Sequence, residues 1–175
     1  MMTKKSIYLD YAATTPMDPA VFKAMESYFT DNFYNPSASY LSAKAVKHSL
    51  DDARSTIARW FGAKPAEIVF TAGATEANNL ALLGAAAAAR RAPKGSAGHF
   101  ISSRVEHKSV LDVLRQLERE GAAITLLEPD ETGRVPPDAV AAALRPDTLL
   151  VSLMLANNEI GVINDIAAIG ALARA

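Results

Sequence analysis

The sequence predicts an α/β fold built on a parallel sheet, and three observations lead there. Short apolar runs alternate with segments of helical periodicity along the chain, the pattern of βαβ units with right-handed crossovers. One run, Leu149-Leu-Val-Ser-Leu-Met-Leu155, is apolar almost throughout, as in a central parallel strand covered on both faces. The stretch Glu67-Ile-Val-Phe-Thr-Ala-Gly-Ala-Thr-Glu76 reads as a buried strand, Ile68 to Phe70, running into a small-residue turn at Gly73 that opens a helix.

The elements follow in order. Ile7-Tyr8-Leu9 is a short extended piece, and a loop leads from it to Met17. Asp18-Pro19 is a helix start, after which Val21, Phe22, Met25, Tyr28 and Phe29 share one face. A loop from Thr30 to Ser39 contains Asn35-Pro36. A long helix then places Val46, Leu50, Ala53, Ile57 and Trp60 as a buried stripe, with Gly62 as its stop. After the strand at Ile68, a helix runs from Ala74 to Ala89, and Arg90 to Gly98 is expected to be a flexible surface loop. Phe100-Ile101 is a strand, and Lys108 to Glu120 a helix on Val110, Leu111, Leu114 and Leu117, capped by Gly121. Ile124 to Leu127, Pro137 to Leu144, Leu149 to Leu155 and Asp165 onward give strand, helix, strand and helix. The run at Leu149 has no strand after it, so the sheet reads as cut short.

Composition bounds the function. With 175 residues, 50% hydrophobic and 21% charged, the chain is expected to be globular. A net charge of −1 with scattered Lys and Arg argues against a nucleic-acid or membrane surface. The absence of cysteine removes disulfides and thiolate metal sites, and no metal ligand set is read. A polar Met1 to Ser6 without an apolar run behind it argues against a signal peptide, and a cytoplasmic location is expected.

The turn at Gly73 carries the first chemical suggestion. Ala74 and Thr75 place unpaired N–H groups and one hydroxyl at a helix N-terminus, which carries about half a positive charge and suits a phosphate. The same residues also suit an ordinary βα turn in which Thr75 or Glu76 caps the helix. His107 sits between a strand and a helix, at the carboxyl edge where open α/β sheets bind ligands, and is either a site residue or a helix cap. Asn157 and Asn158 follow an apolar strand and either serve the site or shape a turn. His48 and His99 read as structural.

Five motifs occur in register: Tyr8-Leu-Asp-Tyr-Ala-Ala-Thr-Thr-Pro16, Asn35-Pro-Ser37, Ile68-Val-Phe-Thr-Ala-Gly-Ala-Thr-Glu76, Glu106-His107 and Asn157-Asn-Glu-Ile-Gly161. In this order and spacing they resemble the N-terminal part of a cysteine desulfurase, a pyridoxal-phosphate enzyme of aminotransferase class V. The similarity is greatest to the branch that supplies sulfur for iron–sulfur clusters and thiolated tRNA. Tyr40 and Ala43 depart from it, standing where a histidine and a glycine are usual.

The resemblance implies a truncated parallel-sheet large domain of the pyridoxal-phosphate transferase type (fold type I) over residues 18–175, with residues 1–17 contributing to a small domain. It implies that Ala74 and Thr75 hold the cofactor phosphate. His107 would stack on the pyridine ring and shuttle protons, and Asn158 would hydrogen-bond the phenolic oxygen. The substrate would be L-cysteine, converted to L-alanine, with the sulfur passing to an enzyme cysteine as a persulfide. Sulfur acceptors such as an iron–sulfur scaffold, and a homodimer or a complementing C-terminal half, are the implied partners.

Two groups of that chemistry are not in the sequence. The family's Schiff-base lysine lies on a later strand, whereas the last lysine here is Lys108, and the sulfur-accepting cysteine has no counterpart in a chain without cysteine. The chain alone is therefore expected to be inactive. The resemblance also places the Ile68 strand far across the sheet from those at Phe100, Ile124 and Leu149, so within this chain it is expected to lack a neighbour. With the open apolar edge at Leu149 to Leu155 as well, the chain is not expected to be a stable monomer in the family's arrangement. Two other readings stand beside this one: a non-catalytic partner or scaffold subunit retaining a phosphate site, and another class V enzyme such as a selenocysteine lyase.

Overall fold

A computed structural model describes residues 7–92, 95 and 97–174. The reading of Met1 to Ser6, the centre of the Arg90 to Gly98 loop (93, 94 and 96) and residue 175 lie outside the described residues. The chain forms two compact units, one ending at Phe70 and the other beginning at Thr71.

The first unit is helical. Helix α1, Pro19–Thr30, starts where Asp18 predicts: its carboxylate accepts the Ala20 N–H at 2.7 Å, and Pro19 needs no intrahelical donor. Helix α2, Leu41–Phe61, ends at Gly62, whose φ of 62° is the left-handed conformation that glycine adopts without strain. The expected buried stripe of α2 is not buried: Trp60 is 85% exposed, and within the helix only Ala43 and Ala58 are buried. Val46 and Ile57 of the stripe are half-buried, while Leu50, Ala53 and Trp60 are exposed, since periodicity marks a face but does not supply the surface that covers it. Ala43, where the resemblance favours glycine, has its methyl fully buried, and the Tyr40 ring meets Tyr34 edge-on at 5.9 Å.

The expected strand at Ile68 to Phe70 is also corrected. These residues pair with no strand among the described residues, and Val69 and Phe70 are exposed. They are held locally instead, by Arg54, which donates to the Ile68 carbonyl and lies 4.8 Å from the centre of the Phe70 ring.

The second unit carries the sheet. Helix α3 (Ala74–Arg91) leads to strand β1 (His99–Ser103), α4 (Lys108–Arg119), β2 (Ala123–Leu127), α5 (Pro137–Ala143), β3 (Thr148–Val151) and α6 (Ile166–Leu172). The strands are parallel in the order β2-β1-β3, with His99 opposite Ala123 and Thr148. Alternation along β1 sends Phe100 into a cluster with Leu82, Val110, Leu114 and Leu117 from α3 and α4. Ile101 faces the other way, into a cluster with Leu127, Val135, Val140 and Ile169. Apolar clusters therefore lie on both faces of the sheet, as a parallel sheet requires.

The apolar run at Leu149 stands at an edge of the sheet, as the reading of a sheet cut short expects, and β1 is the central strand among the described residues. β1 is buried along all five residues, although three of them are polar, whereas β3 is a four-residue edge strand. Burial of β1 is tolerated because every polar side chain has a partner. The fully buried His99 ring meets Thr148 Oγ1 through Nδ1 and Thr125 Oγ1 through Nε2, both at 2.8 Å, tying all three strands together. Ser102 Oγ donates to the Ser152 carbonyl at 2.8 Å. Beyond Val151 the apolar run leaves the ladder: Met154 is held by side chains, and Leu155 is exposed.

Burial lowers the His99 pKa from its ordinary 6.5; Arg145 acts in the same sense and Asp147 opposes it. Below that ordinary value the unfolded chain binds a proton that the fold refuses. His99 therefore removes stability as pH falls through about 6.5 toward its lower folded value, by at most about 1.4 kcal/mol per pH unit. Urea unfolding of the chain against His99→Asn should show a shallower acid loss for the variant. Imidazole NMR should find His99 titrating below the ordinary histidine value.

Candidate functional site

Three segments converge at the carboxyl edge of β1 and β3. The loop after β1 contributes Glu106 and His107, the turn after β3 contributes Asn157 and Asn158, and α3 contributes its first two turns. Glu106, mostly buried, accepts the Met154 N–H at 2.8 Å and the Ser103 hydroxyl at 3.3 Å through one carboxylate oxygen. Burial raises its pKa above the ordinary 4.5, while the bonds from Met154 and Ser103 act in the opposite sense. Asn157, 8% exposed, donates through Nδ2 to the Val105 carbonyl at 3.1 Å. Its Oδ1 accepts the N–H groups of Glu159 at 2.9 Å and Ile160 at 3.0 Å. Asn157 is thus the turn-shaping asparagine, and Asn158 is left exposed, its amide on Glu159 at 3.1 Å.

The start of α3 is bare. The Ala77 N–H closes on the Gly73 carbonyl at 3.1 Å, and the N–H groups of Ala74, Thr75 and Glu76 ahead of it have no side-chain acceptor among the described residues. The Thr75 side chain is exposed and has no hydrogen-bond partner among them. Glu76 turns back to accept the N–H of Ala72, ahead of the helix, at 2.7 Å, so of the two residues Glu76 and not Thr75 ties down the turn, and the first-turn donors stay uncapped. The chain bends at Ala72 and Gly73, but Gly73 itself is extended, with a φ of 170°, and a Cβ there would meet nothing within 4 Å, so the bend does not require glycine. What glycine contributes is the lack of a capping side chain. Ala72 to Glu76 and Asn79 line a concavity of about 670 Å³ in front of these donors. A phosphate fits this donor set, with the Glu76 carboxylate as the one opposing charge.

His107 is both a helix cap and an exposed residue. Its Nδ1 accepts the Ser109 N–H at 3.1 Å, which caps α4, and lies 2.8 Å from Ser109 Oγ. Asn78, one turn into α3, donates through Nδ2 to that same Oγ at 2.8 Å. Asn78 and Ser109 carry no role in the sequence reading, and Glu106 enters it only within the Glu106-His107 motif, because single polar residues near helix starts look like solvated surface. The available signal was a His-x-Ser spacing at a helix start, which lets an imidazole act as N-cap. The structure therefore links His107 to α3 through Ser109 and Asn78, and to the Asn157 turn through the Val105–Glu106 loop. It makes no direct contact between Asn158 and His107. Among the described residues, no group of three or more His, Asp or Glu is placed to hold a metal ion, and no helix is long and apolar enough to cross a membrane.

The aminotransferase class-V family profile matches residues 7–175. The chain belongs to that family. Over 174 residues it is 52% identical to cysteine desulfurase IscS of Azotobacter vinelandii and 51% identical to the IscS of Pseudomonas aeruginosa. Each alignment covers 98% of this chain and 42% of the relative, so the chain spans less than half the length of these proteins. Among solved structures it resembles SspA in complex with cysteine, with TM-score 0.88, 40% identity and coverage of 97% of this chain and 48% of that one. DndA from Streptomyces lividans follows at TM-score 0.82 and 41% identity, with 97% and 46% covered. The fold is therefore that of the pyridoxal-phosphate-dependent cysteine desulfurases, and the family's cofactor is pyridoxal phosphate.

Removing the Glu106 carboxylate should leave the half-buried Met154 N–H unpaired. Glu106→Ala should cost about 1–3 kcal/mol in urea unfolding. Glu106→Gln, which keeps an acceptor oxygen and removes a charge that burial disfavours, should stay within about 1 kcal/mol of the parent at neutral pH. Equal losses in the two variants would contradict the role given to this side chain.

Proposed function

We propose that this chain carries the N-terminal, cofactor-binding part of a cysteine desulfurase, which converts L-cysteine to L-alanine and passes the sulfur to an acceptor cysteine as a persulfide. The observation that carries this reading is the uncapped first turn of α3, with Ala74 and Thr75 facing an open concavity, in a chain 52% identical to IscS enzymes. The structural relative that binds cysteine supports the substrate. In this reading residues 18–175 belong to the cofactor-binding large domain and residues 1–17 to a small one. The protein works in the cytoplasm, and its sulfur serves iron–sulfur cluster assembly or tRNA thiolation.

Each residue has a bounded task. The Ala74 and Thr75 N–H groups and the Thr75 hydroxyl bind the cofactor phosphate and fix its position. The exposed His107 ring would stack on the cofactor ring and would move a proton at Nε2, the nitrogen not engaged with Ser109. Asn158 Nδ2 orients the cofactor's phenolic oxygen. Pyridoxal phosphate, when bound, supplies the electron sink that makes cleavage of the carbon–sulfur bond accessible. The last lysine of the chain is Lys108 and there is no cysteine, so a complementing C-terminal half supplies the anchoring lysine and the sulfur acceptor. The exposed Trp60, Phe61 and Phe29 support a further interface with a second copy, because apolar groups of this size are normally covered.

Two measurements test this. Pyridoxal phosphate should bind the 175-residue chain weakly and non-covalently, and borohydride should not fix it stoichiometrically to one lysine. Thr75→Val keeps the shape but removes a donor, and should weaken that binding by about 1–2 kcal/mol. His107→Ala should instead shift the absorption spectrum of the bound cofactor. Unchanged affinity and spectrum in both variants would place the site elsewhere.

A further inference from the structure

We propose that Asn78 and Ser109 are positioning residues that lock the tautomer and ring orientation of His107. One donor at the ring cannot rotate. The Ser109 backbone N–H points at His107 Nδ1 at 3.1 Å, so that nitrogen carries no proton and accepts. Ser109 Oγ lies 2.8 Å from the same Nδ1, so the contact between them uses the hydroxyl proton. With its single proton spent on the ring, the oxygen retains only lone pairs, and its remaining partner must donate. Asn78 meets that requirement with Nδ2 at 2.8 Å. The chain of donation runs from Asn78 to Ser109 to His107 in one direction.

The consequence for the ring is specific. A neutral His107 carries its proton on Nε2, and two bonds on Nδ1 hold the imidazole plane against rotation. Ser109 is 8% exposed, so water competes poorly for its hydroxyl. Asn78 lies on the same helix as Ala74 and Thr75, one turn on from Thr75, so the helix that presents the phosphate donors also fixes the histidine. This inference rests on the reading of His107 as the residue facing the cofactor ring. Geometry at the ring therefore depends on an α3–α4 contact outside the groups that touch the cofactor.

The test reads the tautomer directly, without cofactor, and so stands apart from whether His107 meets pyridoxal phosphate at all. Long-range 1H–15N NMR of the 175-residue chain, on the alkaline side of histidine titration, should show His107 Nδ1 unprotonated and Nε2 protonated, with well-separated nitrogen shifts. Ser109→Ala, which keeps the backbone donor and loses the hydroxyl one, should narrow that separation, and Ser109→Thr should restore it. Asn78→Asp is the sharper variant: a carboxylate cannot donate to Ser109 Oγ and instead takes its proton. It should reproduce the Ser109→Ala shifts while keeping a side chain of the same shape. A parent chain with a proton on Nδ1, or an even mixture of tautomers, would overturn the proposal and needs no variant to fold. So would nitrogen shifts unmoved in both Ser109→Ala and Asn78→Asp, with amide spectra showing the fold intact. Adding pyridoxal phosphate to the parent chain then examines the other reading: a fixed tautomer with no ring response on binding would count against His107 as cofactor-facing and leave this inference standing.

Discussion

Burial of the polar strand β1 is the constraint on which the rest of the second unit depends. An unpaired polar group inside costs about 1–3 kcal/mol, so His99, Ser102 and Ser103 can be buried only if partners are fixed in place. Thr125 and Thr148 fix the register of the strands on either side, Ser152 holds the chain as it leaves β3, and Glu106 takes the Ser103 hydroxyl. Apolar clustering on both faces supplies the bulk stability, but it is indifferent to sliding along the strands. The polar ties are not.

Those ties also build the site. Glu106 and Asn157 bind the loop after β1 to the turn after β3, which brings His107 and Asn158 to the same edge. The third component, α3, does not arrive by way of a paired strand. It is fastened by apolar packing on α4 and by the Asn78–Ser109 bond, and its first turn is left uncapped. Donors left unsatisfied at a helix start are a local cost, and they are what the proposed phosphate site requires.

Much of this was legible in the sequence. Asp18-Pro19, Gly62 and Gly121 mark helix boundaries because cap chemistry is local, and the helices α1 to α4 fall close to where periodicity puts them. The N-terminus of α3 and the cap position of His107 were legible for the same reason. The open edge at the Leu149 run was also legible, but the burial of β1 was not. Hydrophobicity ranks Leu149 to Leu155 above His99 to Ser103, yet the polar strand is the fully buried one, because satisfied hydrogen bonds hide polarity that a composition-based reading penalises. The stripe on α2 and the run at Ile68 were read as buried from their pattern, but burial needs a partner surface, which no local pattern contains. Asn78 and Ser109 stand 31 residues apart, and nothing local links them.

The central claim is that the bare first turn of α3, with His107 held beside it by α4, is where an anionic cofactor is received. Amide 1H–15N shift mapping of the chain titrated with pyridoxal phosphate tests it most directly. The account predicts saturable shifts concentrated at Ala74, Thr75 and Glu76, with a second group at His107 to Ser109. Shifts confined to lysine-bearing surfaces such as Lys44 and Lys47, with the Ala74 and Thr75 amides unmoved, would contradict it.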